Sequence, residues 1–95
     1  MTTLGRKQVI ISADSRVGDV IRVQTRNTAY TLTVTNPREN EVTIQGGRWV
    51  KPTPAYIYGG HLEEGRSMTV VGQDDENVVA SSTIKSIAVT RVTRE

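Results

Sequence analysis

Apolar and polar residues alternate with a period of two along most of this chain, a spacing that puts one face of each segment in a core and the other in water. The cleanest run is residues 29–35, where Tyr30, Leu32 and Val34 alternate with Thr31, Thr33 and Thr35. Before it, residues 19–25 set Ile21 and Val23 against Arg22 and Gln24; after it, residues 41–45 repeat the pattern with Val42 and Ile44 inward. Arg26-Asn27-Thr28 and the proline-bearing Asn36-Pro37-Arg38-Glu39-Asn40 are connections short enough only for neighbouring antiparallel strands. The three segments therefore predict a meander. Further strands are predicted over residues 67–71, 78–82 and 84–92, the last with Ile87 and Val89 inward. Residues 8–12, Gln-Val-Ile-Ile-Ser, read as an N-terminal strand or as a lid over one end of a barrel. Threonine and valine dominate and apolar spacings of three and four are absent, so no segment is predicted to be helical.

One pattern occurs twice, as Gly18-Asp19-Val20-Ile21-Arg22-Val23 and as Gly65-Arg66-Ser67-Met68-Thr69-Val70, each opening an alternating run. The fold predicted is all-β: a small antiparallel barrel or roll of five to six strands, its last strand returning to its first. The opening Gly18-Asp19-Val20-Ile21 is similar to that of Src-homology and Sm-like barrels, which implies the same type of topology. The Gly46-Gly47 pair after the third strand, Ser81-Ser82-Thr83-Ile84-Lys85-Ser86-Ile87 and the Gly18-Asp19-Val20 entry together resemble a group of small uncharacterised bacterial β proteins. That resemblance covers about residues 17–89. It implies no activity.

Alternation stops between residues 46 and 64, which read as one long loop bracketed by Gly46-Gly47 and Gly59-Gly60. This stretch holds Trp49, Tyr56, Tyr58, His61, Pro52 and Pro54, and long loops on a rigid scaffold are where binding chemistry concentrates. The whole chain of 95 residues is read as a single domain, with residues 1–7 and 93–95 expected to be flexible.

Composition narrows the chemistry. With no cysteine, disulfides, thiolate metal sites and cysteine nucleophiles are excluded, and a cytoplasmic location is expected. No long apolar stretch follows the basic pair Arg6-Lys7, so neither a secretory signal nor a membrane span is expected. Twelve basic residues against ten acidic ones leave a formal charge of +2, a weak pointer to a polyanion. There is no phenylalanine, so valine, isoleucine and leucine must fill the core.

Catalysis has little to build on. His61 is the only histidine, no phosphate-binding glycine loop occurs, and Asp74-Asp75-Glu76 reads as a solvated turn tip. The chain is expected not to be an enzyme and to need no cofactor or metal. The threonine rows, Thr31, Thr33, Thr35 and Thr43, are either a flat recognition face or simply good β-formers in solvent, and propensity alone accounts for them. The candidate binding surface is the aromatic and basic set Arg48, Trp49, Lys51, Tyr56, Tyr58, His61 and Arg66, which Arg22 and Arg26 are candidates to join. Cations that follow phosphates beside rings that stack on bases describe a single-stranded nucleic-acid surface. The competing reading makes Trp49 a plug over an open barrel end, supplying the large residue that a core without phenylalanine lacks. Two functions follow: a non-catalytic interaction or assembly module that binds a protein partner or itself, with residues 84–92 as the pairing edge, or a weak binder of single-stranded nucleic acid.

Overall fold

The computed structural model describes residues 7–73 and 78–91. Most of the ends expected to be flexible, and the acidic cluster Asp74-Asp75-Glu76, lie outside the described residues. The elements in chain order are β1 (Gln8–Ile10), a one-turn helix α1 (Ile11–Asp14), β2 (Val20–Thr25), β3 (Ala29–Asn36), β4 (Glu41–Gly46), β5 (Trp49–Ile57), β6 (His61–Glu63), β7 (Thr69–Gly72), β8 (Val78–Ala80) and β9 (Ile84–Thr90). Short 3₁₀ turns cover Pro37–Glu39 and Tyr58–Gly60.

The meander of β2, β3 and β4 forms as the alternation requires, and register aligns its inward residues in rows. Ile21 pairs with Leu32, Leu32 with Ile44, and Val34 with Val42. On the other side of β2, β9 lies antiparallel with Val89 opposite Ile21 and Ile87 opposite Val23, so the last strand returns to the first long one. The main sheet runs β8-β7-β5-β4-β3-β2-β9, all neighbours antiparallel, and curls into a half-barrel. A separate ribbon pairs β1 with β6. All-β architecture is thus observed, with seven strands in the sheet and two in the ribbon among the described residues, where five to six were expected.

The additional strands arise largely in the stretch expected to be a loop. Residues 46–64 hold β5, a 3₁₀ turn and β6. Two features hid β5. Pro52 and Pro54 remove two backbone donors, which a strand tolerates only where no neighbour needs them. Pairing with β7 covers Ala55, Tyr56 and Ile57 alone, so residues 49–54 have an open side on which the prolines sit. The second feature is a bulge: Ile44 faces Thr53 while Gly46 faces Trp49, so β5 carries two more residues than β4 across that interval. The bulge pushes Val50, Lys51 and Pro52 into solvent and destroys the period of two.

One helical turn forms where none was predicted. Its propensity is poor, and its stability comes from context: Ile11 is fully buried, the Ile10 N–H donates to Asp14 Oδ2 at 2.8 Å, and the Ser15 N–H closes the turn on the Ile11 carbonyl at 3.2 Å.

One apolar cluster fills the concave side. Ile21, Val23, Tyr30, Leu32, Val34, Val42, Ile44, Ala55, Ile57, Val70, Ile84 and Ile87 come from the sheet, and Val9, Ile11, Leu62 and Met68 join them from the ribbon and its neighbours. Branched aliphatics therefore supply the bulk that phenylalanine would have provided. Each fully buried one contributes roughly 1.5–3 kcal/mol. Among the described residues, no helix is long and apolar enough to cross a membrane.

Candidate functional site

Of the seven residues predicted to form a surface, the fold groups only some. Arg48 and Trp49 lie at the start of β5, Tyr56 and Tyr58 at its far end, and a strand rising about 3.3 Å per residue separates these pairs by roughly 25 Å. Lys51 stands out on the bulge between them. His61 and Arg66 belong to the ribbon region: His61 Nε2 is 2.7 Å from Gln8 Oε1 and 4.0 Å from Glu63, and Arg66 Nε is 3.2 Å from the same Glu63 carboxylate. The seven do not make one patch.

Trp49 is half-buried and packs against the rim of the core cluster. Its ring meets Tyr30 edge-on, with centroids 6.2 Å apart at 62°, while the Arg48 guanidinium carbon lies 5.7 Å from the indole centroid. These contacts explain the glycines before it. A Cβ at Gly46 would drive into the Ala29 carbonyl oxygen, and one at Gly47 would press on the Tyr30 ring at 3.1 Å, so the turn can lie flat over Tyr30 only without side chains. The indole thus contacts Tyr30 and Arg48 at the rim of the core and remains partly exposed.

A different grouping emerges from register. Arg22 projects from β2 between Ala88 of β9 and Thr31 of β3. Arg26 follows β2 directly and donates its backbone N–H to the Thr83 carbonyl at 3.0 Å. Lys85 is the extra residue where β9 slips register against Gln24 and Thr25. Arg48 sits in the β4–β5 turn, whose Gly47 approaches Thr28. Arg26, Arg48 and Lys85 thus gather at one end of the β9, β2, β3 and β4 strands, with Arg22 midway along β2. Among the described residues, none of the four makes an ion pair. Asp19, Glu39 and Glu41 lie at the other end of these strands with Arg16, Arg38 and Arg91, and the Glu64 carboxylate stands at the edge of β9, accepting from the N–H groups of Lys7 and Ile87 at 3.2 and 3.1 Å.

Beside these cations the outer face of the sheet is hollow. Arg22, Gln24, Ala29, Thr31, Ser86 and Ala88, with Val23 and Tyr30, line a shallow hollow of about 180 Å³ that is half open to solvent. Small residues at 29, 86 and 88 create the depth, since each stands beside a longer side chain on β2: Ala29 and Ser86 flank Gln24, and Ala88 flanks Arg22. Sequence reading considered Arg22 and placed Thr31 in its threonine row, yet missed Gln24, Ser86 and Ala88. The signal lay in register alone, because no local motif marks residues drawn from three strands.

The outer edge of β9, expected to be open for pairing, is partly closed. The Ile84 N–H donates to the Arg66 carbonyl and its own carbonyl accepts from Gly65, both at 2.8 Å, and the Ile87 N–H donates to Glu64 Oε2. Free edge remains only from Val89 onward among the described residues. Comparison with known proteins adds no further constraint: no protein-family model, curated protein or solved structure matches the chain.

Proposed function

We propose that this chain is a non-catalytic binding module that engages an anionic polymer, single-stranded nucleic acid being the fitting class, through Arg22, Arg26, Arg48 and Lys85. The observation that carries this reading is the collection of four cations, three at one end of the sheet and Arg22 midway along β2, that make no ion pair among the described residues, on an outer face that is otherwise threonine, serine, alanine and glutamine there. Solvated charges scattered over a surface are normally interspersed with the opposite sign. Cations left together favour a partner that brings negative charge and releases counterions. Trp49 and Tyr30 act as supports that hold the Arg48 turn, and phosphate contacts rather than base stacking supply the affinity. Such binding is largely independent of base sequence. Kinship of topology with Src-homology or Sm-like barrels belongs to the same proposal, supported by the return of β9 to β2.

The test is a fluorescence anisotropy titration of a labelled oligothymidylate at low and moderate salt. Affinity should fall steeply with salt, and replacing all four cations by glutamine should remove it. Saturable binding that ignores salt, or wild-type affinity in the fourfold variant, would refute the proposal.

One further observation favours a second reading, self-association. Val78 of β8, Val71 of β7 and Tyr56 of β5 face one another in register on the outer surface, an apolar column that ends on the side of β8 that pairs with no strand among the described residues. Val78 is 65% exposed. A dimer formed there should dissociate in Val78→Lys; sedimentation of the wild type as a monomer across the micromolar range would remove this reading.

A further inference from the structure

We infer that the hollow around Arg22 seats a single phosphate group, together with the sugar carbon that carries it, and so is the fixed contact within the broader cationic end; this inference rests on the polyanion reading. Size comes first. A space of about 180 Å³ is below the range of roughly 300–1,000 Å³ in which whole drug-sized ligands are enclosed. At about 30 Å³ of liquid volume per water it holds some six waters, enough for one group protruding from a larger partner.

The lining then selects the group. Arg22 offers guanidinium donors with no ion pair or hydrogen bond among the described residues, and Thr31 and Ser86 add two hydroxyls that are likewise uncommitted there. A planar fork of N–H donors beside two hydroxyls matches a tetrahedral oxyanion, whose several oxygens can be met from different sides. The amide nitrogen of Gln24 is already tied to the carbonyls of Thr25 and Thr28, at 2.8 and 3.4 Å. Its Oε1 is left as an acceptor on the rim, turned away from the donors that would meet an oxyanion. No carboxylate lines the hollow. Ala29 and Ala88 matter by being small, because a longer side chain at either position would occupy the space.

Two variants separate a seat from a general attraction. Arg22→Gln removes the charge and keeps the shape; Ala88→Leu keeps every charge and fills the hollow, at a position exposed enough to spare the fold. ¹H–¹⁵N spectra of the full chain are recorded during titration with inorganic phosphate and, separately, with a short oligothymidylate. With phosphate, shifts should concentrate at Arg22, Thr31, Ser86 and Ala88 and vanish in both variants. With the oligonucleotide, each variant should bind about tenfold more weakly, and Arg22→Gln should lower the salt slope by about 0.7. Shifts of equal size at Arg26, Arg48 and Lys85, or an Ala88→Leu protein that binds like wild type, would overturn the seat while oligonucleotide binding by wild type left the polyanion reading standing. Localised phosphate binding without oligonucleotide binding would do the reverse: the seat would hold and the polymer reading would fall. Failure of both ligands to bind would remove both.

Discussion

At the scale of single residues, the side chains that alternation turns inward carry the stability. Leu32 is fully buried in a row with Ile21 and Ile44, so Leu32→Ala should cost about 2–5 kcal/mol in a denaturant titration. Thr33, one residue along on the outer face, should lose less than about 0.5 kcal/mol on the same change. Equal losses would mean that the strand faces the other way. Gly47 supplies a second test, because its φ of 57° and its contact with the Tyr30 ring both oppose a Cβ. Gly47→Ala should destabilise by about 1–2 kcal/mol and should also red-shift the emission of Trp49, whose position depends on that turn. An unchanged spectrum would detach Trp49 from the turn. Residues such as Tyr30, Leu32, Val34, Val42 and Ile44 were legible in the sequence because a half-buried strand writes its face directly as a period of two. The hollow was not. Gln24, Ser86 and Ala88 are unremarkable in their own segments and acquire meaning only when β9 pairs with β2 in a register that contains a bulge at Lys85.

Whole elements were legible to the extent that their two sides were alike. β2, β3 and β4 are paired on both sides, so their side chains alternate without interruption. β5 is paired on one side along its length and on the other only at its end, which admits prolines and a bulge and erases the pattern. The same asymmetry governs the outer edge of β9. Since the Ile87 N–H turns outward to Glu64, alternation turns the Ala88 N–H inward to β2, opposite Arg22. Ala88→Pro should therefore break the sheet itself. Val89→Pro removes an outward donor and should leave the fold cooperative, as checked by thermal unfolding followed by circular dichroism. A Val89→Pro chain that fails to fold while Ala88→Pro melts like wild type would invert the assignment of that edge. Glu64 closes the edge through its side chain, accepting from Lys7 and Ile87 together. Its replacement by alanine leaves those donors without their acceptor and should cost about 1–3 kcal/mol, with glutamine, which keeps one acceptor oxygen, costing less. Identical losses for the two substitutions would show that neither bond contributes.

Across the molecule, the net charge of +2 does not show which cations lie near one another. The β2–β4 sheet places Arg26 and Arg48 at one end, joined by Lys85 of β9, with Arg22 midway along β2, while the other end holds Asp19, Glu39 and Glu41 together with Arg16, Arg38 and Arg91. Topology groups them, because successive turns of a meander fall alternately at opposite ends, so Arg26 and Arg48 come together although more than twenty residues lie between them in the chain. If this basic end is the contact surface, the number of phosphates it neutralises can be counted from the salt dependence of oligothymidylate binding. Four cations acting on a single strand predict a slope of log K against log salt of about −3, since each contact contributes about −0.7. Measuring that slope for the wild type and for the fourfold glutamine variant tests the account most directly: it predicts a slope near −3 that collapses with the variant, and the absence of binding, or a slope that the four substitutions leave unchanged, would contradict it.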